Sequence, residues 1–174
     1  SFSFTIINPY PAFYSMYCKN EKNNITIYIS PGEKIKVSAD LPGFNNLVIE
    51  NSPSSVELNN LLKERNMVTN KAYALIDSIH SIRDTVGREK DVMRFDSAIE
   101  NLLRKHKKYS IDFVKLNSKS PVAIIALQQY IGERPVFDFK KDFHYFNLTD
   151  SILMVTAPQA EAVQYLHKQV SYFR

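Results

Sequence analysis

The 174-residue chain has no tryptophan, one cysteine and four glycines. A single thiol, Cys18, cannot close an internal disulfide and excludes a Cys-x-x-Cys redox pair within this stretch. Gly32, Gly43, Gly87 and Gly132 stand apart from one another, whereas phosphate-cradling loops need clustered glycines so that backbone amides can converge on an anion. The histidines, His80, His106, His144 and His167, form no His-Glu-x-x-His or His-x-His pair, so the clustered spacing of a metal site is missing. There is no Gly-x-Ser-x-Gly elbow. No apolar run approaches the roughly 20 residues that a membrane-crossing helix needs, and no signal-peptide pattern occurs. These absences point away from an enzyme, from a metal or cofactor, and from membrane insertion.

What remains is an ordinary globular composition, 44% apolar and 23% charged, which suffices for a sizeable core. The net charge is +4. Its densest cluster, Arg104, Lys105, Lys107 and Lys108, sits late in a helical stretch and reads as a solvated face whose cations oppose the helix dipole. It does not predict a nucleic-acid partner.

Residues 1–52 read as an antiparallel β part. Phe2, Phe4 and Ile6 alternate with polar or smaller residues, 12–18 form a second strand candidate, and Ile25, Ile27 and Ile29 mark a third. Ser30-Pro31-Gly32-Glu33 is a turn, because proline presets the first central torsion and glycine tolerates the second. Ile35, Val37 and Ala39 follow at period two, and Leu47 to Ile49 form a further short strand. Such strands predict an antiparallel sheet or sandwich.

At residue 53 the period lengthens to about 3.6. Ser54 with Glu57 fits a capping box. Leu61, Val68, Leu75 and Ile82 form one seam; Val92, Phe95, Ile99, Leu102, His106, Tyr109, Phe113 and Leu116 form another. Gly87 is the only glycine between residues 54 and 119, so 54–116 predicts a long helical hairpin turning there. Arg65 and His106 interrupt the seams away from that turn, so the open end is expected to meet the rest of the domain. Residues 120–174 predict shorter helices: 122–131 starting at Pro121, another from Thr149 or Asp150 to Met154, and a last one from near Pro158 to Arg174. The stretch 137–145 reads as a short helix or irregular chain. The fold class is therefore α+β, with 1–52 and 53–174 forming one compact unit.

Ten tyrosines and eleven phenylalanines are present. In the β part, Tyr14, Tyr17 and Tyr28 are the candidate binding surface, since exposed rings stack on sugar or peptide; packing a sheet against helices is their other use. Four triplets, at Asp77-Ser78-Ile79, Asp84-Thr85-Val86, Asp96-Ser97-Ala98 and Asp150-Ser151-Ile152, have the Asp-Ser/Thr-apolar form of an envelope O-glycosylation acceptor.

The order of these features resembles a known arrangement. The strand Phe2-Ser3-Phe4-Thr5-Ile6 precedes Ile25-Thr26-Ile27-Tyr28-Ile29-Ser30-Pro31-Gly32-Glu33-Lys34-Ile35-Lys36-Val37. Then come Val48-Ile49-Glu50-Asn51-Ser52, a long helical segment, and Leu116-Asn117-Ser118-Lys119-Ser120-Pro121-Val122-Ala123. This is similar to the N-terminal domain that precedes the thioredoxin-like (AhpC/TSA-type) domain of bacterial envelope thiol–disulfide oxidoreductases. That family often has glycine where Asn51 stands, and asparagine also tolerates a left-handed backbone. The resemblance implies a non-catalytic accessory domain in the periplasm, positioning a thioredoxin-like domain of the same polypeptide or binding its protein or peptide partner. It carries over no catalytic residue and no cofactor. It also implies that any targeting segment lies upstream of Ser1, and that the chain is either the N-terminal part of such an oxidoreductase or a relative without the redox part. The alternative reading is a stand-alone envelope module that binds glycan or peptide through its aromatic β surface.

Overall fold

The computed structural model describes residues 5–19, 24–81 and 88–174. Its N-terminal part is antiparallel, as expected, and consists of two two-stranded ribbons. β1 (Ala12–Tyr17) pairs with β2 (Asn24–Ile29), and β3 (Lys36–Asp40) with β4 (Asn45–Glu50). The expected turn forms: Glu33 N–H donates to Ser30 O at 3.1 Å with Gly32 at φ +82°, and Ser30 N–H donates to the Glu33 carboxylate at 2.7 Å. It links the ribbons without pairing β2 to β3. The two ribbons share an apolar cluster in which Ile25, Ile27 and Ile49 are buried. Residues 5–8 form no strand, and the Phe2 and Phe4 part of that expectation lies outside the described residues.

Asn51 takes φ +64°, the left-handed conformation expected of it, and the chain turns into α1 (Pro53–Ser81). The cap is Ser52, not Ser54. Val56 N–H makes the first helical bond to Ser52 O at 3.0 Å, and Ser55 N–H points at Ser52 Oγ at 3.4 Å. Proline explains the shift: its fixed φ and missing N–H suit the first helical position, so the helix starts at Pro53. Ser55 then reaches back to the β part. Its hydroxyl accepts from Tyr28 N–H at 2.9 Å and donates to Tyr28 O at 2.7 Å.

α2 (Arg88–Leu116) packs antiparallel against α1; each helix is 29 residues, about 43 Å at 1.5 Å per residue. Gly87 and Ile82 lie outside the described residues. Burial grows away from that end. Leu75 and Ile79 are half-buried, whereas Leu58, Leu61, Val68, Ile99, His106 and Phe113 are buried. Leu116, the last residue of the second seam, is exposed. The cations Arg104, Lys105 and Lys108 face solvent, while Lys107 is half-buried.

The C-terminal part departs most from expectation. α3 (Val122–Leu127) stops short of residue 131, because Tyr130–Ile131 (β5) pairs with Arg134–Pro135 (β6). Gly132 suits that hairpin because it sits at φ +59°, a left-handed conformation that glycine adopts without a Cβ penalty. α4 (Phe143–Thr156) starts well before Thr149, and α5 (Glu161–Phe173) follows. The main core joins Tyr28, Leu58, Leu61, Phe113, Leu127, Phe146, Leu153, Val163, Leu166 and Val170, so β2 and all five helices contribute to one apolar interior.

His106 ties the open end of the α1–α2 pair to the α3–β5 connection. Its Nε2 is 2.9 Å from Gln129 Oε1, which Ser110 also approaches at 3.4 Å. Burial lowers the imidazole pKa below its ordinary 6.5, helped by Arg65 and opposed by the Gln129 hydrogen bond and by Glu64. Since the unfolded chain takes up this proton first, stability is full above pH 6.5 and falls as pH drops below it. Urea titrations at pH 7 and pH 5 are expected to show a loss of stability at the lower pH that is smaller in His106→Gln. An equal loss in both proteins refutes this assignment.

Candidate functional site

The three tyrosines singled out in the β part do not share a surface. Tyr28 pairs in register with Phe13, and Tyr14 with Ile27. Alternation therefore sends Tyr28 and Tyr14 to opposite faces of the ribbon. Tyr28 is buried, its ring 5.1 Å from Phe13. Burial pushes its phenol up to about 12, aided by the Glu33 charge and opposed by a side-chain hydrogen bond with Ser30, so it stays protonated at neutral pH. Tyr14 is half-buried, with its hydroxyl 3.0 Å from Asn8 Nδ2. Tyr17 is 77% exposed at the far end of β1.

The exposed rings that do converge lie in the C-terminal half. On α5, Tyr165, Lys168, Gln169 and Tyr172 recur at steps of three and four, which places them on one helix face. That face lies away from the buried Val163, Leu166 and Val170. Opposite it stand Tyr130 of β5 and the loop 136–142. Together they border an open cleft of about 960 Å³. Its rings brace one another. Phe139 lies 4.6 Å from Phe146 and 4.7 Å from Phe173, at interplanar angles of 49° and 55°. Phe137 meets Phe146 edge-on at 6.3 Å. Such offset and edge-to-face pairs add to the stabilisation from burial.

The loop that forms the cleft wall is held from behind. Lys107 Nζ contacts both Asp142 carboxylate oxygens, at 2.8 and 2.6 Å. Asp142 also accepts from Asp138 N–H at 2.8 Å. Asp138 accepts from the amides of Lys141 and Lys140, which lower its pKa in that order of effect. The cleft is therefore a fixed aromatic depression carrying amides and lysines: Gln128, Gln169, Lys140 and Lys168. A smaller cleft of about 300 Å³ adjoins it, bounded by Phe13, Tyr28, Pro121 and Glu161 and sharing Gln128 and Tyr165 with the larger one. Tyr28 is the only residue of the original three to border either cleft.

One constellation has the order of a nucleophile, base and carboxylate. Ser171 Oγ lies 3.5 Å from His167 Nε2, and His167 Nδ1 lies 3.0 Å from Asp150. None of these residues borders either cleft. The buried Asp150 is also bound by Arg174 at 3.0 Å, and Arg174 further engages Asn147 at 2.8 Å. The cluster fastens the end of α5 to α4. Among the described residues, no group of three His, Cys, Asp or Glu side chains is arranged to hold a metal ion, and no helix is long and apolar enough to cross a membrane. Cys18 is half-exposed and unpaired by any disulfide. Ser78, Ser97 and Ser151, from the glycosylation-like triplets, all lie within helices; Thr85 lies outside the described residues.

No family model matches the chain, no curated protein matches it, and no solved structure matches its fold. The cleft therefore rests on its own geometry. Sequence reasoning missed it, although one signal was present: Tyr165 and Tyr172 stand one heptad apart on the side of the last helix opposite its apolar stripe.

Proposed function

We propose that this chain is a non-catalytic binding domain whose aromatic cleft holds a large apolar side chain from a protein or peptide partner. The observation that carries this reading is the convergence of Tyr130, Phe139, Tyr165, Tyr172 and Phe173 around one depression. Of these, Tyr130, Tyr165, Tyr172 and Phe173 are exposed, whereas rings that only fill a core lose their contact with water. Amphipathic aromatic surface of this kind supplies anchor pockets at protein interfaces. The motif order quoted above adds a setting: an accessory domain beside a thioredoxin-like redox domain in the bacterial envelope, presenting the partner to that domain.

The test uses fluorescein-labelled decapeptides with a central phenylalanine, followed by fluorescence anisotropy. Binding is expected, and Tyr172→Ala should weaken it about tenfold, as loss of an interface aromatic does; Tyr17→Ala should leave it unchanged. A Tyr17 dependence without a Tyr172 dependence overturns the cleft assignment. Binding of a fluorescein-labelled chitooligosaccharide without any peptide binding would move the reading to a glycan module. Turnover above background in insulin reduction with dithiothreitol would refute the non-catalytic assignment.

A further inference from the structure

The two clefts share a wall, and their charges differ. The larger carries Lys140 and Lys168, and no described residue forms an ion pair with either. Its one carboxylate, Asp138, accepts hydrogen bonds from the amides of its own loop. The smaller carries Glu161, exposed at the first turn of α5. Tyr165 and Gln128 stand between them as wall to both, and both are exposed. The two clefts therefore meet at this pair of side chains, with two lysines lining the wide one and a carboxylate lining the narrow one.

Resting on the binding reading above, we infer that the two clefts form one bipartite groove for an extended peptide segment of defined polarity. A phenylalanine- or leucine-sized anchor enters the wide end with an adjacent carboxylate over Lys140 and Lys168. The segment then crosses Tyr165 into the narrow end, where a small apolar residue fits and a lysine or arginine meets Glu161. The volumes set the order of sizes, about 960 against 300 Å³. The charges set the order along the segment, since complementary potentials fix register and exclude reversed partners.

Fluorescence anisotropy with the full 174-residue chain tests this with labelled decapeptides that carry Phe-Glu at one end and Lys at the other. They are made in both chain directions, alongside versions with the two charges exchanged. One direction of the Phe-Glu/Lys probe should bind best. Lys168→Glu should weaken it about tenfold, Glu161→Lys should weaken it severalfold, and the charge-exchanged peptide should recover on the double variant. Added salt should narrow these differences, because exposed charges are screened. Indifference to Glu161→Lys, with dependence on Tyr172 and Lys168 retained, overturns the bipartite groove and leaves the single cleft standing. Equal affinity for original and charge-exchanged peptides overturns the polarity. Failure of every decapeptide to bind overturns the inference together with the binding reading.

Discussion

Phe146→Ala is expected to destabilise the protein by about 3–4 kcal/mol, the usual cost of removing a buried aromatic and leaving part of its volume empty. Phe146 is 4% exposed. It belongs to the main core and also borders the larger cleft, where it supports both Phe137 and Phe139. The substitution should therefore act twice. Chemical denaturation should show the loss of stability. Under conditions where the variant remains folded, peptide affinity should also fall, because Phe139 loses the ring against which it leans. Unchanged affinity in a folded, destabilised variant would mean that the cleft does not depend on this support. A change below about 1 kcal/mol would place Phe146 outside the set of core residues whose truncation leaves a cavity.

Ser55→Ala should cost about 2–4 kcal/mol, more than the removal of an ordinary serine. The Ser55 hydroxyl serves both Tyr28 N–H and Tyr28 O, at 2.9 and 2.7 Å, and also receives the Ser52 hydroxyl at 3.0 Å. Alanine leaves a buried donor and acceptor unpaired, and each such loss runs to about 1–3 kcal/mol. The two need not add in full, since Ser52 Oγ lies 3.4 Å from Tyr28 O and can turn toward it. Denaturant midpoints compared with Ser54→Ala make the measurement. Ser54 approaches only Ser120, at 3.5 Å, so its loss should fall within about 0.5 kcal/mol of neutral. Equal effects at the two serines would contradict the assigned roles.

The parts of this fold that could be read in the sequence are those where local chemistry and tertiary structure agree. Ile25, Ile27 and Ile29 alternate because one ribbon face is covered, and Pro31-Gly32 turns as its torsions demand. Asn51 adopts the left-handed backbone that a glycine would otherwise provide. The seams of α1 and α2 predicted both helices, and the polar interruption at His106 marked where they meet other elements. The failures have equally local causes. The start of α4 is not legible because its apolar residues surround the helix instead of forming a stripe, so no 3.6-residue period stands out. β5 and β6 are two residues each, too short for any period. Alternation identifies the strands of the β part but not which strands pair, so the split into two ribbons is set by packing. The cleft was hidden for a different reason: its walls come from the α3–β5 region, the loop 136–142, Phe146 and the outer face of α5, and only packing brings them together.

The Ser55 contact has a consequence beyond stability. Among the described residues, β2 has β1 on one side and no strand on the other. Tyr28 directs its amide and carbonyl toward that open side, where they would offer a pairing template to a strand of another molecule. The start of a helix occupies the place instead, and one hydroxyl presents the donor and acceptor of an adjoining strand. The helix start thereby covers the buried part of that edge against strand addition.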